Sequence, residues 1–178
     1  AAGDMDNGKR AVLWLGNGGG SFGAPSFAPL PGGQDPSGLA AADFDGDGKT
    51  DLAVVAYYSG NEFAVLAGNG DGSFGARTAF PLGNSYYYND FLRTADVTGD
   101  GKPDLLLGSN SNFAIATNRS GAMLGFDAIS RNLARVTGMA AGDLDGDGII
   151  DLVLANYDNS ALRVLGGQPT SLLAADDS

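Results

Sequence analysis

Apolar residues in this chain come in short bursts, each cut off by glycine, asparagine or aspartate. The cleanest unit reads as four strands: Leu39 to Phe44, Leu52 to Tyr57, Phe63 to Ala67 and Ala76 to Leu82. The segments between them are rich in residues that tolerate the positive φ of tight turns. No apolar spacing of helical period extends over three turns. The longest clean apolar run, Leu52 to Tyr58, is much too short to span a bilayer. The pattern predicts an all-β fold of short antiparallel strands. Trp14, in the apolar stretch before Gly16, reads as a core residue.

The pattern also recurs. The stretches AAADFDGDGKTDLAVVA, RTADVTGDGKPDLLLGS and MAAGDLDGDGIIDLVLA share one plan, and their first loop aspartates lie 53 and then 47 residues apart. A second element, GNGGGSFGAP from Gly16, returns as GNGDGSFGAR from Gly68 at an offset of 52, with a weaker echo from Thr117. A unit of this length holds four short strands with tight turns, as in a propeller blade. A β-sandwich would not place one acidic loop at the same point of every unit.

Composition sharpens this picture. The 178 residues include 29 glycines and are 43% hydrophobic, which argues for a turn-dense folded chain rather than disorder. Cysteine and histidine are absent, excluding disulfides, thiolate nucleophiles, Cys-type zinc sites and the commonest general base. The net charge of -11 disfavours nucleic acid as a partner. Eleven acids and two lysines sit in the three repeated loops, leaving ten acids against eight bases elsewhere, so the loops carry most of the net charge. Carboxylates crowded in this way repel one another and call for a cation.

Their spacing says which cation. In DFDGDGKTD, Asp43, Asp45 and Asp47 take loop positions 1, 3 and 5, the Lys49 carbonyl position 7 and Asp51 position 9. Alternate residues of a tight loop turn inward, so oxygen atoms converge on a hard cation, and Gly46 and Gly48 permit the curvature. Asp143, Asp145, Asp147, the Ile149 carbonyl and Asp151 repeat the set. The middle loop offers Asp96, Thr98, Asp100, the Lys102 carbonyl and Asp104, and with Thr98 in place of an acid it is expected to be the weakest. Position 12 holds Val54, Leu107 and Leu154 rather than a bidentate glutamate, which excludes an EF-hand. Magnesium, with its stricter octahedral demand, fits less well, so up to three Ca2+ ions are expected. A metal-free Asp/Gly turn competes as an account of any single loop, but less well of three with matched spacing.

These stretches resemble the FG-GAP or VCBS-type repeats of calcium-binding β-propellers, such as integrin α-subunit heads and several fungal and bacterial lectins. The signature itself stands at Phe22-Gly23-Ala24-Pro25, with a variant at Phe74-Gly75-Ala76. The resemblance implies four-stranded antiparallel blades, the first strand innermost and calcium held between the first and second strands. It implies a partial first blade over 1–36, blades over 37–89 and 90–135, and a fourth, incomplete, over 136–178. AAGDMDNGK, with Asp4 and Asp6, looks like a shortened calcium loop. Aligning Gly16 with Gly68 instead puts Asp4 to Gly8 at a second-strand end and in the next hairpin, where Asn7-Gly8 is a strong turn dipeptide. No fourth site is expected there.

On such a propeller the calcium loops share a face with the turns between third and fourth strands. The opposite face collects Tyr57, Tyr58 and Asn61, the run Tyr86, Tyr87 and Tyr88, and Tyr157 beside Asn156, Asp158 and Asn159. Tyrosine joins a flat apolar body to a polar tip, which suits a sugar ring or a protein partner. Catalysis has little to work with: glutamate occurs once, as Glu62, and most aspartates belong to the loops. The expected function is an extracellular, calcium-stabilised binding module for carbohydrate or a protein partner, not an enzyme. A polysaccharide lyase using Tyr86 to Tyr88 with Arg93, or a purely structural assembly domain, are the alternatives, the former resting on fold analogy.

A count of three strands, then four, four and three makes about three and a half blades, with apolar faces such as Leu152 to Leu154 lacking a neighbour. The chain is therefore expected to pair with a second copy, or with another propeller segment that completes the ring, unless the tail from Gln168 completes the last blade. It opens on Ala1 and reads as a processed or excised segment. Asn118-Arg119-Ser120 is a glycosylation sequon.

Overall fold

The computed structural model of the chain describes residues 2–4, 10–30, 36–56, 62–82, 89–109, 113–119, 121, 124–131, 135–157 and 160–167. Among them every regular element is a β-strand. The first sheet joins β1 (Ala2–Asp4), β2 (Arg10–Leu13) and β5 (Ser26–Pro29), and β3 (Gly16–Gly18) with β4 (Ser21–Phe22) prolongs the β2–β5 hairpin. The second comprises β6 (Pro36–Ala42), β7 (Asp51–Ala56), β8 (Glu62–Gly68) and β9 (Phe74–Pro81). The third comprises β10 (Asn89–Ala95), β11 (Asp104–Ser109), β12 (Phe113–Asn118) and β13 (Phe126–Arg131). The last joins β14 (Val136–Gly142), β15 (Asp151–Asn156) and β16 (Ala161–Leu165). Within each, strands pair antiparallel in chain order, so the chain is an all-β, propeller-like segment.

The first strands of the last three sheets share an irregularity. Their register with the second strand shifts between Pro36 and Gly38, Asn89 and Phe91, and Val136 and Gly138. A bulge at one fixed place twists each sheet in the same way, which favours stacking of equivalent blades. The strand expected from Leu39 to Phe44 ends earlier, at Ala42. Phe44 has left the ladder and plugs the core at 1% exposure, its ring edge-on to Phe126 at 5.8 Å.

Strand alternation decides what packs where. Along β7, Leu52 and Val54 join Ala11 and Ala28 of the first sheet, while Ala53 and Val55 face the third. Along β11, Leu105 and Leu107 look back to the second sheet and Leu106 looks forward to Leu152 and Leu154. All three of these leucines are fully buried, because an inner blade is covered on both faces. Covering a leucine in this way contributes about 1.5–3 kcal/mol.

Two expectations fail here. Leu152 and Leu154 do not lack a neighbour; they are buried against the third sheet. Alternation turns the other set outward instead: Leu162 and Val164 stand on the exposed face of the last sheet, and Leu144 is exposed in the loop before β15. Trp14 is not a core residue, since it is 47% exposed. The chain leaves the ladder at Trp14 and Leu15, between β2 and β3, so the alternation that would have buried the indole is broken. As the alignment of Gly16 with Gly68 implied, Asp4 ends a strand, in register with Arg10; Asp6 and Asn7-Gly8 lie outside the described residues.

One side chain links neighbouring blades. Asn118 is 3% exposed, and its Nδ2 donates to the Phe44 carbonyl at 2.9 Å and the Pro103 carbonyl at 3.2 Å. The sequon nitrogen is thus occupied and out of reach of a glycosylating enzyme once the chain has folded.

Candidate functional site

The three acidic loops fold alike. The position-1 carboxylate turns back over its own loop: Asp43 accepts the amides of Gly46, Asp47 and Gly48 at 2.8, 3.1 and 2.8 Å. Asp96 does the same for Gly99, Asp100 and Gly101, and Asp143 for Gly146, Asp147 and Gly148. The wrapped backbone needs left-handed residues, and Gly46 and Gly48 supply them at φ of 78° and 84°.

Two loops gather acids. Asp43, Asp45 and Asp51 bring one carboxylate oxygen each to within 4.8 Å of one another, and Asp143, Asp145 and Asp151 match them. Either triad can hold a metal ion. An all-oxygen, anionic donor set suits a hard cation, and the two sets of like charge repel without one. Asp47 stands outside the first triad: its Oδ1 accepts the Lys49 amide at 2.8 Å and its Oδ2 meets Lys49 Nζ at 2.6 Å. That lysine holds the Asp47 carboxyl below the usual range. Asp147 likewise accepts the Ile149 amide at 2.8 Å, but there the loop offers no cation. In the middle loop Thr98 Oγ1 lies 3.4 Å from Asp96, Asp100 pairs loosely with Lys102 at 3.7 Å, and no acidic triad forms among the described residues.

Position 9 does something the spacing alone does not reveal. Asp51 Oδ2 accepts the Phe44 amide at 2.8 Å while its Oδ1 accepts the Gly68 amide at 2.8 Å. Asp104 holds Val97 at 2.9 Å, Thr98 at 3.2 Å and Asn118 at 2.7 Å. Asp151 holds Leu144 and Gly167, both at 2.8 Å. Each of these buried carboxylates clasps the acidic loop to the end of the third strand. The clasp demands close approach, for a Cβ on Gly68 would fall on the Thr50 carbonyl oxygen. A sequence signal was present: an aspartate opening the second strand, with glycine 17 and 16 residues later in two repeats.

The same clasp sits in different surroundings. Burial pushes the Asp104 and Asp51 carboxyls above the ordinary range, against the pull of the amides they accept. At Asp151, in the last sheet, the Gly167 and Leu144 amides win and the carboxyl is held below it. Among the described residues no further sheet stands beyond to deepen the burial. A carboxyl whose folded pKa is raised makes folding more favourable as pH falls through that value, whereas the Asp151 contribution is lost as pH falls through its depressed value. In a carboxyl-resolved NMR titration of metal-free protein, Asp51 and Asp104 are expected to protonate at higher pH than Asp151; the reverse order would refute this account of burial.

The tyrosine face is only partly in view. Tyr57, Tyr58, Tyr86, Tyr87 and Tyr88 lie outside the described residues, as do Asn61, Asp158 and Asn159. Tyr157 is 63% exposed at the turn after β15, with the Arg135 guanidinium 4.7 Å from its ring centre and its amide donating to the Arg135 carbonyl at 2.9 Å. Arg93, outside the acidic loops, donates to the Leu92 carbonyl at 2.9 Å.

Comparison with known families agrees with the geometry. The FG-GAP-like repeat matches three times, over residues 1–54, 44–107 and 96–154. None of the curated proteins compared with the chain matches it.

Proposed function

This chain belongs to the FG-GAP-like repeat family, and from that membership we propose that it is an extracellular, calcium-stabilised binding module that recognises carbohydrate or a protein partner. The observation that carries the reading is the recurrence of one acidic triad, Asp43, Asp45, Asp51 and again Asp143, Asp145, Asp151, at the same loop of two blades. Calcium is the cation that suits these oxygens, with the Lys49 and Ile149 carbonyls and the Asp47 and Asp147 carboxylates as further donors. It supplies charge neutralisation at the loops, a structural service rather than a catalytic one. The middle loop, with Asp96, Thr98, Asp100, the Lys102 carbonyl and Asp104, is the weakest of up to three sites.

The extracellular assignment rests on the family, whose repeats are typical of extracellular proteins. No helix among the described residues is long and apolar enough to cross a membrane. The absence of histidine and cysteine, and a single glutamate, favour binding over catalysis. Exposed Tyr157 supports a contact surface opposite the loops, and the uncovered Leu144, Leu162 and Val164 support ring completion by a second copy or another propeller segment. A glycan array probed in excess calcium and again in excess chelator tests the reading. Retention of at least one glycan, lost with chelator, is the expected result. Silence on the array, together with no capture of extracellular protein in either buffer, would overturn it.

A further inference from the structure

Between the first two sheets, on the side of the acidic loops, a cleft of about 760 Å³ opens to solvent. Trp14 and Leu15 line one wall; the loop before β7, with Lys49, and the turn before β9, with Asn69, Asp71 and Ser73, line the other. The volume is in the range of small-molecule sites. Leu15 is seated against Gly72 of the opposite turn, its Cδ1 3.0 Å from where a Cβ would stand, so the two walls meet there.

The polar wall is ordered before any ligand arrives. Asn69 Nδ2 donates to Ser73 Oγ at 2.9 Å, and the Ser73 hydroxyl donates to Asp71 Oδ1 at 2.6 Å. The Ser73 amide donates to the same oxygen at 2.9 Å, and the Asn69 amide to the Ser73 carbonyl at 3.0 Å. This chain commits the hydroxyl and leaves Asn69 Oδ1 and Asp71 Oδ2 as acceptors; Lys49 of the neighbouring loop also lines the cleft, its Nζ bonded to Asp47 Oδ2 and keeping two further N–H donors. Two pre-set acceptors and a cationic side chain in one cleft with a half-exposed indole match a ligand with several hydroxyls and one apolar face. An anionic ligand is disfavoured by Asp71 and by the net charge of -11.

We propose that this cleft is a saccharide subsite, in which Trp14 stacks on the apolar face of a pyranose while Asn69, Asp71 and Lys49 take its hydroxyls. The proposal rests on the reading of the chain as a carbohydrate-binding module and deepens it by placing a ligand on the loop face, away from Tyr157. Trp14 is the only tryptophan of the chain, so its fluorescence reports occupancy of the cleft directly.

The test titrates the full chain, in calcium, with glucose, galactose, mannose, N-acetylglucosamine and fucose in turn. At least one sugar is expected to shift the Trp14 emission saturably, at concentrations of about a millimolar. By calorimetry, Trp14→Ala and Asp71→Asn are each expected to weaken that sugar tenfold or more. Asp71→Asn keeps an oxygen to accept from Ser73 and turns the other acceptor into a donor, so it reports on recognition even if Trp14→Ala fails to fold. Binding that survives both substitutions and is lost on Tyr157→Ala moves the ligand to the opposite face, overturning the subsite but not the module. No saturable response to any of the sugars overturns the subsite; a glycan array that is silent as well overturns the carbohydrate reading with it.

Discussion

Transfer from excess calcium to excess chelator is expected to lower the thermal midpoint by about 10–20 °C. A ligand at one hundred times its Kd stabilises the native state by about 2.7 kcal/mol per site, and Kd values near 10⁻⁴ M are usual for extracellular calcium modules. Two triads therefore contribute about 5 kcal/mol in 10 mM calcium, and about 2–4 °C accompanies each kcal/mol in a domain of this size. The substitutions that test the assignment must be chosen with the loop hydrogen bonds in mind. Asp43 and Asp143 each hold three backbone amides, so alanine there would unsettle the loop with or without metal. Among the described residues Asp45 and Asp145 accept only the Asp47 and Asp147 amides, at 3.1 Å. Asp45→Asn and Asp145→Asn keep an oxygen for that bond while removing a ligand charge. They are expected to shrink the calcium-dependent part of the midpoint and leave the chelated value nearly unchanged. Equal midpoints in calcium and chelator for the parent chain would remove the metal from the account of its stability.

The second large effect needs no metal. Asp104→Ala, measured in chelator throughout, is expected to cost about 3–5 kcal/mol, since an unsatisfied buried amide costs about 1–3 kcal/mol and three lose their acceptor at once. The penalties overlap because the three share one carboxylate. The midpoint should fall by about 6–20 °C. Asp104→Asn should cost less: one oxygen remains to accept, while its NH2 group faces an amide donor. A loss below 1 kcal/mol for Asp104→Ala in denaturant unfolding would mean that water replaces the carboxylate and that the clasp is not structural.

The sequence was informative where one residue decides one feature. Repeat spacing, strand identity in the second sheet and glycine-enforced loop curvature were all legible, because turns and alternation are local. What misled was packing between sheets. VLWLG reads as strand, yet two residues of it step out of the ladder and carry the indole into a cleft. DLVLA reads as an apolar strand, but a strand covered on both faces hides which parity meets which neighbour; Leu152 and Leu154 went inward. The clasp of Asp51, Asp104 and Asp151 escaped because its partner lies beyond the intervening hairpin. Ligand spacing accounted for those aspartates already, and a second duty leaves no mark on the spacing.

The clasp also bears on how such a chain grows. Every bond it makes lies within one sheet, from the acidic loop to the third strand of the same blade. Between blades there are chiefly apolar side chains, to which the Asn118 bond to Phe44 adds a polar stitch. A duplicated repeat thus arrives with its own fastening and asks of its neighbour only a greasy surface of the right slope. Duplication and loss of whole repeats become small evolutionary steps, and the number of blades becomes a matter of the wedge between sheets.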